Sequence, residues 1–388
     1  MTGKQKSSSR LVANDRYRGR KKSPTIASPK RGAKGPTKTN FRKPSGSILK
    51  RVSKWLFKLI LRLAWAVMWR GTVIIILMIF LTVTFFAINL PDAANLLDGR
   101  ARGSVTMLDR NGEVFAWRGE QFGGVADAGS VSPTLKNAII ATEDKRFFQH
   151  LGISPRGIAS AIKINLSEGR SALTGHGGST ITQQTAKLLC LGVPYDPNRW
   201  SSERAYESEC RASSLWRKIK EGLYAIAMET KYSKHEILTI YINRAFLGAG
   251  ARGFEAAAQR YFGKSAALVS LPEAAMLAGL LIAPSRYAPT NNLARSRDRA
   301  RMIIALMEDQ GFITEDEATF ARNNPAELSA AAEARAGGYF ADWVMQSGPS
   351  FFTQNTKEDV IIKTTLDRPI QQAAEDALKL VFKTRVKE

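Results

Sequence analysis

The chain has 388 residues, of which 44% are hydrophobic, 9% aromatic and 23% charged, an ordinary globular balance that excludes a wholly disordered, collagen-like or disulfide-scaffold protein. A net charge of +23 points to nucleic acid until it is located: residues 1–70 carry 20 Lys and Arg against Asp15 alone, leaving 37 bases and 33 acids elsewhere. The excess belongs to a tail, so no nucleic-acid partner is expected.

Residues 1–47 are rich in Lys, Arg, Ser, Gly and Pro and almost lack large apolar side chains. Such a segment cannot offset the entropy of ordering, and a disordered basic tail is expected. Over 48–70, bulky apolar residues interleave with Lys50, Arg51, Lys54, Lys58 and Arg62, the pattern of a basic amphipathic helix lying on anionic headgroups. Residues 71–90 hold no charge, and twenty such residues are about what a helix needs to cross the bilayer. A cleavable leader would have a shorter apolar run and an earlier start. The upstream bases put the N-terminus in the cytoplasm and everything after about Pro91 outside.

Residues 91–131 form a lead-in, in which 104–117 alternate around Asn111-Gly112; the spacing predicts a β-hairpin with positive φ at both turn positions. Helical periodicity dominates 132–322, which reads as one mostly α-helical domain. In 323–388 an Ala/Glu-rich stretch precedes a strand predicted over 358–366 and a further helix.

Three clusters within the helical region could carry chemistry. In Glu143-Asp144-Lys145-Arg146-Phe147-Phe148-Gln149-His150-Leu151-Gly152, a helix would align Glu143, Phe147 and His150 on one stripe. A carboxylate beside an aromatic ring is partly desolvated, which suits a general base; a solvated helix end with a core Phe would read the same way. In Gly175-His176-Gly177-Gly178-Ser179-Thr180-Ile181-Thr182-Gln183-Gln184-Thr185-Ala186-Lys187, the glycines allow close backbone approach and Ser179 or Thr180 can cap a helix. Thr180, Gln184 and Lys187 then recur at helical spacing, suiting sugar hydroxyls and phosphate, unless this is only a polar surface helix. In Arg217-Lys218-Ile219-Lys220-Glu221, two cations and a carboxylate share one helix face, as an exposed ion pair also would.

Together, in this order and after a single N-terminal anchor, the clusters resemble the glycosyltransferase module of class A penicillin-binding proteins and monofunctional peptidoglycan glycosyltransferases. The family patterns E-D-x-x-F-x-x-H-x-G, G-G-S-T-I-T-Q-Q-x-x-K and R-K-x-x-E-x-x-x-A stand complete. Two further segments, 234–243 and 252–264, agree as well, with Thr239 where the family usually has Glu and Ile242 for Leu. The resemblance implies a mainly α, lysozyme-like helical domain that polymerises lipid II, releasing undecaprenyl pyrophosphate with inversion at the anomeric carbon. Glu143 matches the family base acting on the acceptor 4-hydroxyl. Glu221 matches the second acid, acting on the pyrophosphate side through ordered water or a loosely held Mg²⁺ or Mn²⁺, which makes Glu221 the candidate metal ligand. Asp144, Phe147, His150, Gly178, Ser179, Thr180, Gln183, Gln184, Lys187, Arg217 and Lys218 fall in the implied substrate-binding set, with the cations stabilising the departing diphosphate.

The implied partners are lipid II, the nascent glycan strand, membrane lipids and the cell-wall synthesis machinery. The implied location is the bacterial inner membrane, with the catalytic domain periplasmic. A mobile segment that dips into the bilayer maps to 153–173, where a core helix is the alternative. His176 and His235 read as surface or loop residues. Cys190 and Cys210 bracket what looks like an inserted loop, and outside the cytoplasm the expectation is a disulfide between them. Arg199, Arg204 and Arg211 are candidates for a substrate-contacting arginine of that region. No complete Ser-x-x-Lys, Ser-x-Asn, Lys-Thr-Gly set of a transpeptidase is found, while 361–378 resembles the linker entering one, so a truncated bifunctional synthase is expected. The competing classes are a lysozyme-like hydrolase with water as acceptor and a non-enzymatic membrane anchor with a basic tail.

Overall fold

The computed structural model describes residues 48–97, 103–118, 123–171, 177–196, 198–201, 203–212, 214–329, 332, 338–349 and 359–385. The basic tail 1–47 and His176 lie outside the described residues. Helix α1 (Ile48–Asn89) runs unbroken for 42 residues, so the headgroup helix and the span expected as two segments belong to one helix of about 63 Å. It is the one described helix long and apolar enough to cross a membrane. Its large apolar side chains from Trp55 to Phe80 are exposed, as a lipid-facing surface would be.

The lead-in forms β1 (Val105–Leu108) and β2 (Val114–Arg118), paired antiparallel. Asp109 organises the turn, its Oδ1 accepting from Asn111 N at 2.8 Å and Glu113 N at 2.9 Å. Only Gly112 has a positive φ, of 85°. The two-residue turn with both φ positive is therefore not formed, because the aspartate closes a longer loop.

In the main body, α2 (Pro133–Glu143), α4 (Ile181–Leu188), α7 (Lys234–Arg244), α8 (Phe254–Phe262), α9 (Leu271–Gly279) and α11 (Leu293–Asp309) surround one core that includes Leu135, Ile139, Ile181, Ile237, Ile240 and Tyr241. Around them stand α3 (Pro155–Ser167), α5 (Glu203–Arg211), α6 (Leu215–Lys231), α10 (Pro284–Tyr287) and α12 (Glu315–Asn323). Thr180, Ser233 and Thr314 open α4, α7 and α12 with reciprocal capping boxes, each satisfying otherwise unpaired N–H groups.

The C-terminal part closes back on the lead-in. Strand β3 (Val360–Lys363) pairs parallel to β1, giving the order β2-β1-β3, and α13 (Gly338–Ser347) packs Ala341 and Phe340 onto Val105, Met107 and Phe115. Arg118 Nε binds Asp342 at 2.7 Å, and Arg110 binds Asp367 at 2.9 Å where α14 (Arg368–Arg385) begins. The predicted strand thus completes the lead-in sheet. Val105, Met107, Phe115 and Ala116 of the lead-in share this small core with Ala341 and Leu366 of the C-terminal part, whereas Ala126, Ala128, Val131 and Ala326 belong to the main core.

Candidate active site

Helix α2 stops at Glu143 because Asp144 leaves helical geometry at φ −161° and ψ 78°; a 3-10 turn, Phe147–Gln149, follows. The single stripe of Glu143, Phe147 and His150 is therefore not formed. The Asp144 carboxylate explains the break: it pairs with His150 Nε2 at 2.9 Å and accepts the N–H of Ile181 at 3.2 Å, across to the start of α4. Phe147 is fully buried under the Lys234 ammonium, 4.5 Å from its ring centroid. These three side chains are engaged within the protein, Asp144 and His150 with each other and Phe147 in the core.

Thr180 caps α4, its Oγ1 accepting from Gln183 N at 3.1 Å and donating to Gly152 O at 2.5 Å, while Gln183 Oε1 accepts from Thr180 N. Gly178 is required by packing: a Cβ there would lie 2.7 Å from Ile158 Cα of α3. Thr180 and Gly178 thus have structural roles here, one as a helix cap and the other as a close-packing position. Gln184 Nε2 donates to Glu143 Oε2, and the Tyr241 O–H donates to Gln184 Oε1 at 3.4 Å. Burial pushes the Glu143 carboxyl above its ordinary range, opposed by the Gln184 bond and the Arg299 charge and reinforced by Asp144.

Helix α6 carries the other acid. Glu221 is 1% exposed, and both its oxygens are engaged, Oε1 by Arg217 Nη1 and Oε2 by Lys218 Nζ at 3.0 Å. A buried carboxylate persists only when so paired. Lys218 Nζ also reaches Ser179 Oγ at 2.6 Å, and Arg217 is tied to Ala212 O and, at 3.4 Å, to Cys210 O.

A cavity of about 1300 Å³ opens onto this group. Of the predicted residues, Ser179, Gln183, Gln184, Lys187, Arg217, Lys218 and Glu221 line it; Asp144, Phe147, His150, Gly178 and Thr180 do not. Glu143 is not in the lining either, and meets it through Gln184 and Tyr241. Arg244 and Arg252 also line the cavity, so among the described residues its lining holds five cations and one carboxylate, a field suited to a polyanionic group. The sequence reading missed these two as site residues. Arg244 follows Tyr241 by three positions on α7, a spacing that could have flagged it. Asn89, the last residue of α1, and Pro91 and Leu96 just past it line the cavity too.

Among the described residues no group of three or more His, Cys, Asp or Glu side chains comes together to hold a metal. With both Glu221 oxygens taken by cations, the donor set does not fit a resident divalent ion; the positive charge here comes from side chains. His235 is exposed and pairs with Asp127 at 2.9 Å, and Thr239 accepts the Ala128 N–H at 3.1 Å, a structural contact away from the cavity.

Cys190 and Cys210 form a disulfide, their Cα atoms 5.2 Å apart. Of the three arginines considered there, Arg199 lies over the Trp200 ring at 4.3 Å, while the side chains of Arg204 and Arg211 fall outside the described residues. Closing a loop of 20 residues is worth about 3 kcal/mol in the chain-entropy account. Replacing both cysteines by Ser is therefore expected to lower the melting temperature, measured by circular dichroism. It should also lower activity, because opening the loop loosens the chain segment whose Cys210 main-chain carbonyl helps hold Arg217.

Residues 111–308 match the family model described as Transglycosylase. The chain is 35% identical over 294 residues to penicillin-binding protein 1A of Escherichia coli, covering 75% of this chain and 32% of that one. It is 33% identical over 314 residues to penicillin-binding protein 1A of Aquifex aeolicus, covering 80% and 40%. A crystal structure of penicillin-binding protein 1A from Haemophilus influenzae aligns over 72% of this chain and 29% of that one, at 20% identity and a TM-score of 0.38. The chain spans about a third of the length of the curated relatives it matches.

Proposed function

The chain belongs to the transglycosylase family, and from that membership we propose that it is a peptidoglycan glycosyltransferase that polymerises lipid II into glycan strands. The observation that carries this reading is the cavity lined by Lys187, Arg217 and Lys218, the last two paired with Glu221. A diphosphate leaving group gains charge as its bond to the anomeric carbon breaks, so these cations bind the transition state more strongly than the ground state. Glu221 holds Arg217 and Lys218 in that position. Fixed charges of this kind need no reorganisation during the reaction.

On the opposite side of the reacting carbon, Glu143 takes the proton from the acceptor sugar's 4-hydroxyl as its oxygen attacks. Burial supports this role, since a carboxylate with a raised pKa is a stronger base. The acceptor must displace the Gln184 amide to reach it, and the Tyr241 hydroxyl then keeps Gln184 within the site. Attack and departure on opposite faces give inversion.

Both substrates are lipids, which gives the cavity's border beside Asn89, Pro91 and Leu96 its purpose. The end of α1 is fastened there: Phe86 meets the Tyr224 ring at 5.4 Å, and Lys231 and Tyr232 donate to the carbonyls of Leu90 and Pro91. Helix α3 leaves Ile158 and Leu166 exposed while burying Ala161, which supports insertion of that face among lipid tails over a core-helix reading. We place the N-terminus in the cytoplasm and the helical body on the periplasmic face of the inner membrane.

The test is incubation of the purified full chain, in detergent, with fluorescent lipid II. Lengthening products resolved by gel electrophoresis are expected. Shortening of preformed strands would identify a hydrolase, and absence of turnover with intact folding would leave only an anchor.

A further inference from the structure

The disulfide-closed segment brings more to the cavity than the Cys210 carbonyl that holds Arg217: Val193, Pro194, Tyr195 and Tyr206 also line it. Its aromatic residues are layered. Trp200, 7% exposed, lies behind, with its Nε1–H donated to Glu209 Oε2 at 2.7 Å and the Arg199 guanidinium 4.3 Å above its ring. In front, Tyr195 stacks on Trp200 with centroids 6.5 Å apart, and Tyr206 meets Trp200 edge-on at 4.9 Å and Tyr195 at 5.7 Å. Tyr195 and Tyr206 line the cavity, whereas Trp200 does not. The Tyr206 hydroxyl donates to Val193 O at 2.6 Å, fixing the wall to itself.

One cavity is therefore lined both by the cations Lys187, Arg217 and Lys218 and by two aromatic rings held by their neighbours. A pyranose ring presents a face of C–H bonds with its hydroxyls at the rim. Such a face packs on an aromatic ring, and rings already held by neighbours lose little entropy on binding. We propose that Tyr195 and Tyr206 form a sugar-stacking platform that binds a pyranose ring of the glycan while the cations hold the diphosphate. This inference rests on the glycosyltransferase reading and adds to it a subsite built from the insertion.

The test uses the full chain in detergent and a tetrasaccharide of alternating N-acetylglucosamine and N-acetylmuramic acid, with binding read by calorimetry. Tyr195→Leu, which keeps an apolar side chain and loses the ring, should weaken tetrasaccharide binding and raise KM for lipid II, each about tenfold, with kcat nearly unchanged. Tyr195→Phe should match the wild type. Wild-type affinity and KM in the Leu variant, or an equal loss in the Phe variant, would overturn the platform. A second measurement needs no variant: bound tetrasaccharide should protect Tyr195 and Tyr206 from nitration by tetranitromethane, mapped by peptide mass, and unchanged nitration overturns the proposal. If the wild type does not polymerise but the Leu variant still loses the sugar, the enzymatic reading fails and the platform stands. If polymerisation is normal and the Leu variant binds sugar normally, the platform alone fails.

Discussion

Glu143→Gln should reduce glycan polymerisation by about 10²–10⁴-fold, the usual contribution of a general base, and should leave the melting temperature unchanged or higher. The reason lies in the burial of this carboxyl. Its pKa in the folded chain is raised, chiefly by desolvation, so the fold binds its proton more tightly than the unfolded chain does. Stability from this group is then fully present below the ordinary carboxylate pKa and declines as pH climbs through the raised folded value. Above that value burial of the charged form works against the fold, and a neutral amide of the same shape removes that cost while still accepting from Gln184. A variant with a higher melting temperature and no product would separate chemistry from structure. Normal strands from a folded Glu143→Gln protein would remove the base assignment. The wild-type rate should correspondingly fall as pH drops through a value above the usual Glu range, because only the ionised form accepts the proton. That limb should be absent from the residual rate of the Gln variant.

Glu221→Gln is expected to act differently, losing both activity and stability. The carboxylate is buried against Arg217 and Lys218, one on each oxygen, and the amide would turn a donor NH2 towards one of the two cations. About 2 kcal/mol of stability should be lost with the charged hydrogen bonds, seen as a lower melting temperature. Polymerisation should fall about 10²-fold as the cations lose their alignment on the diphosphate. A chemical comparison isolates this cause: Lys218→Arg retains the charge and should keep more activity than Lys218→Gln. Retention of most activity in a folded Glu221→Gln protein would refute the division of labour between the two acids.

How much of this was legible beforehand differs from residue to residue. Arg217, Lys218 and Glu221 lie within one turn of one helix, so helical spacing alone brings them together. The capping role of Thr180 was equally readable, since a hydroxyl three residues before Gln183 satisfies local N–H groups whatever surrounds it. By contrast, the stripe through Glu143, Phe147 and His150 failed because Asp144 makes its contacts with Ile181 and His150, and the Ile181 contact lies 37 positions away. The hairpin was found but not its turn, because Asp109 accepts from two backbone groups and lengthens it.

Local physics written in the chain was sufficient for the charged tail, the apolar span, the helical body, the caps and the motif order, because each depends on residues a few positions apart. Only the tertiary structure decided that Phe147 and Thr180 support the site while Arg244 and Arg252 line it, that Glu143 stands behind Gln184, and that β3 pairs with β1 across 255 residues. Those outcomes depend on which side chains exclude water from one another, and that exclusion is a property of the packed core as a whole rather than of any window of sequence.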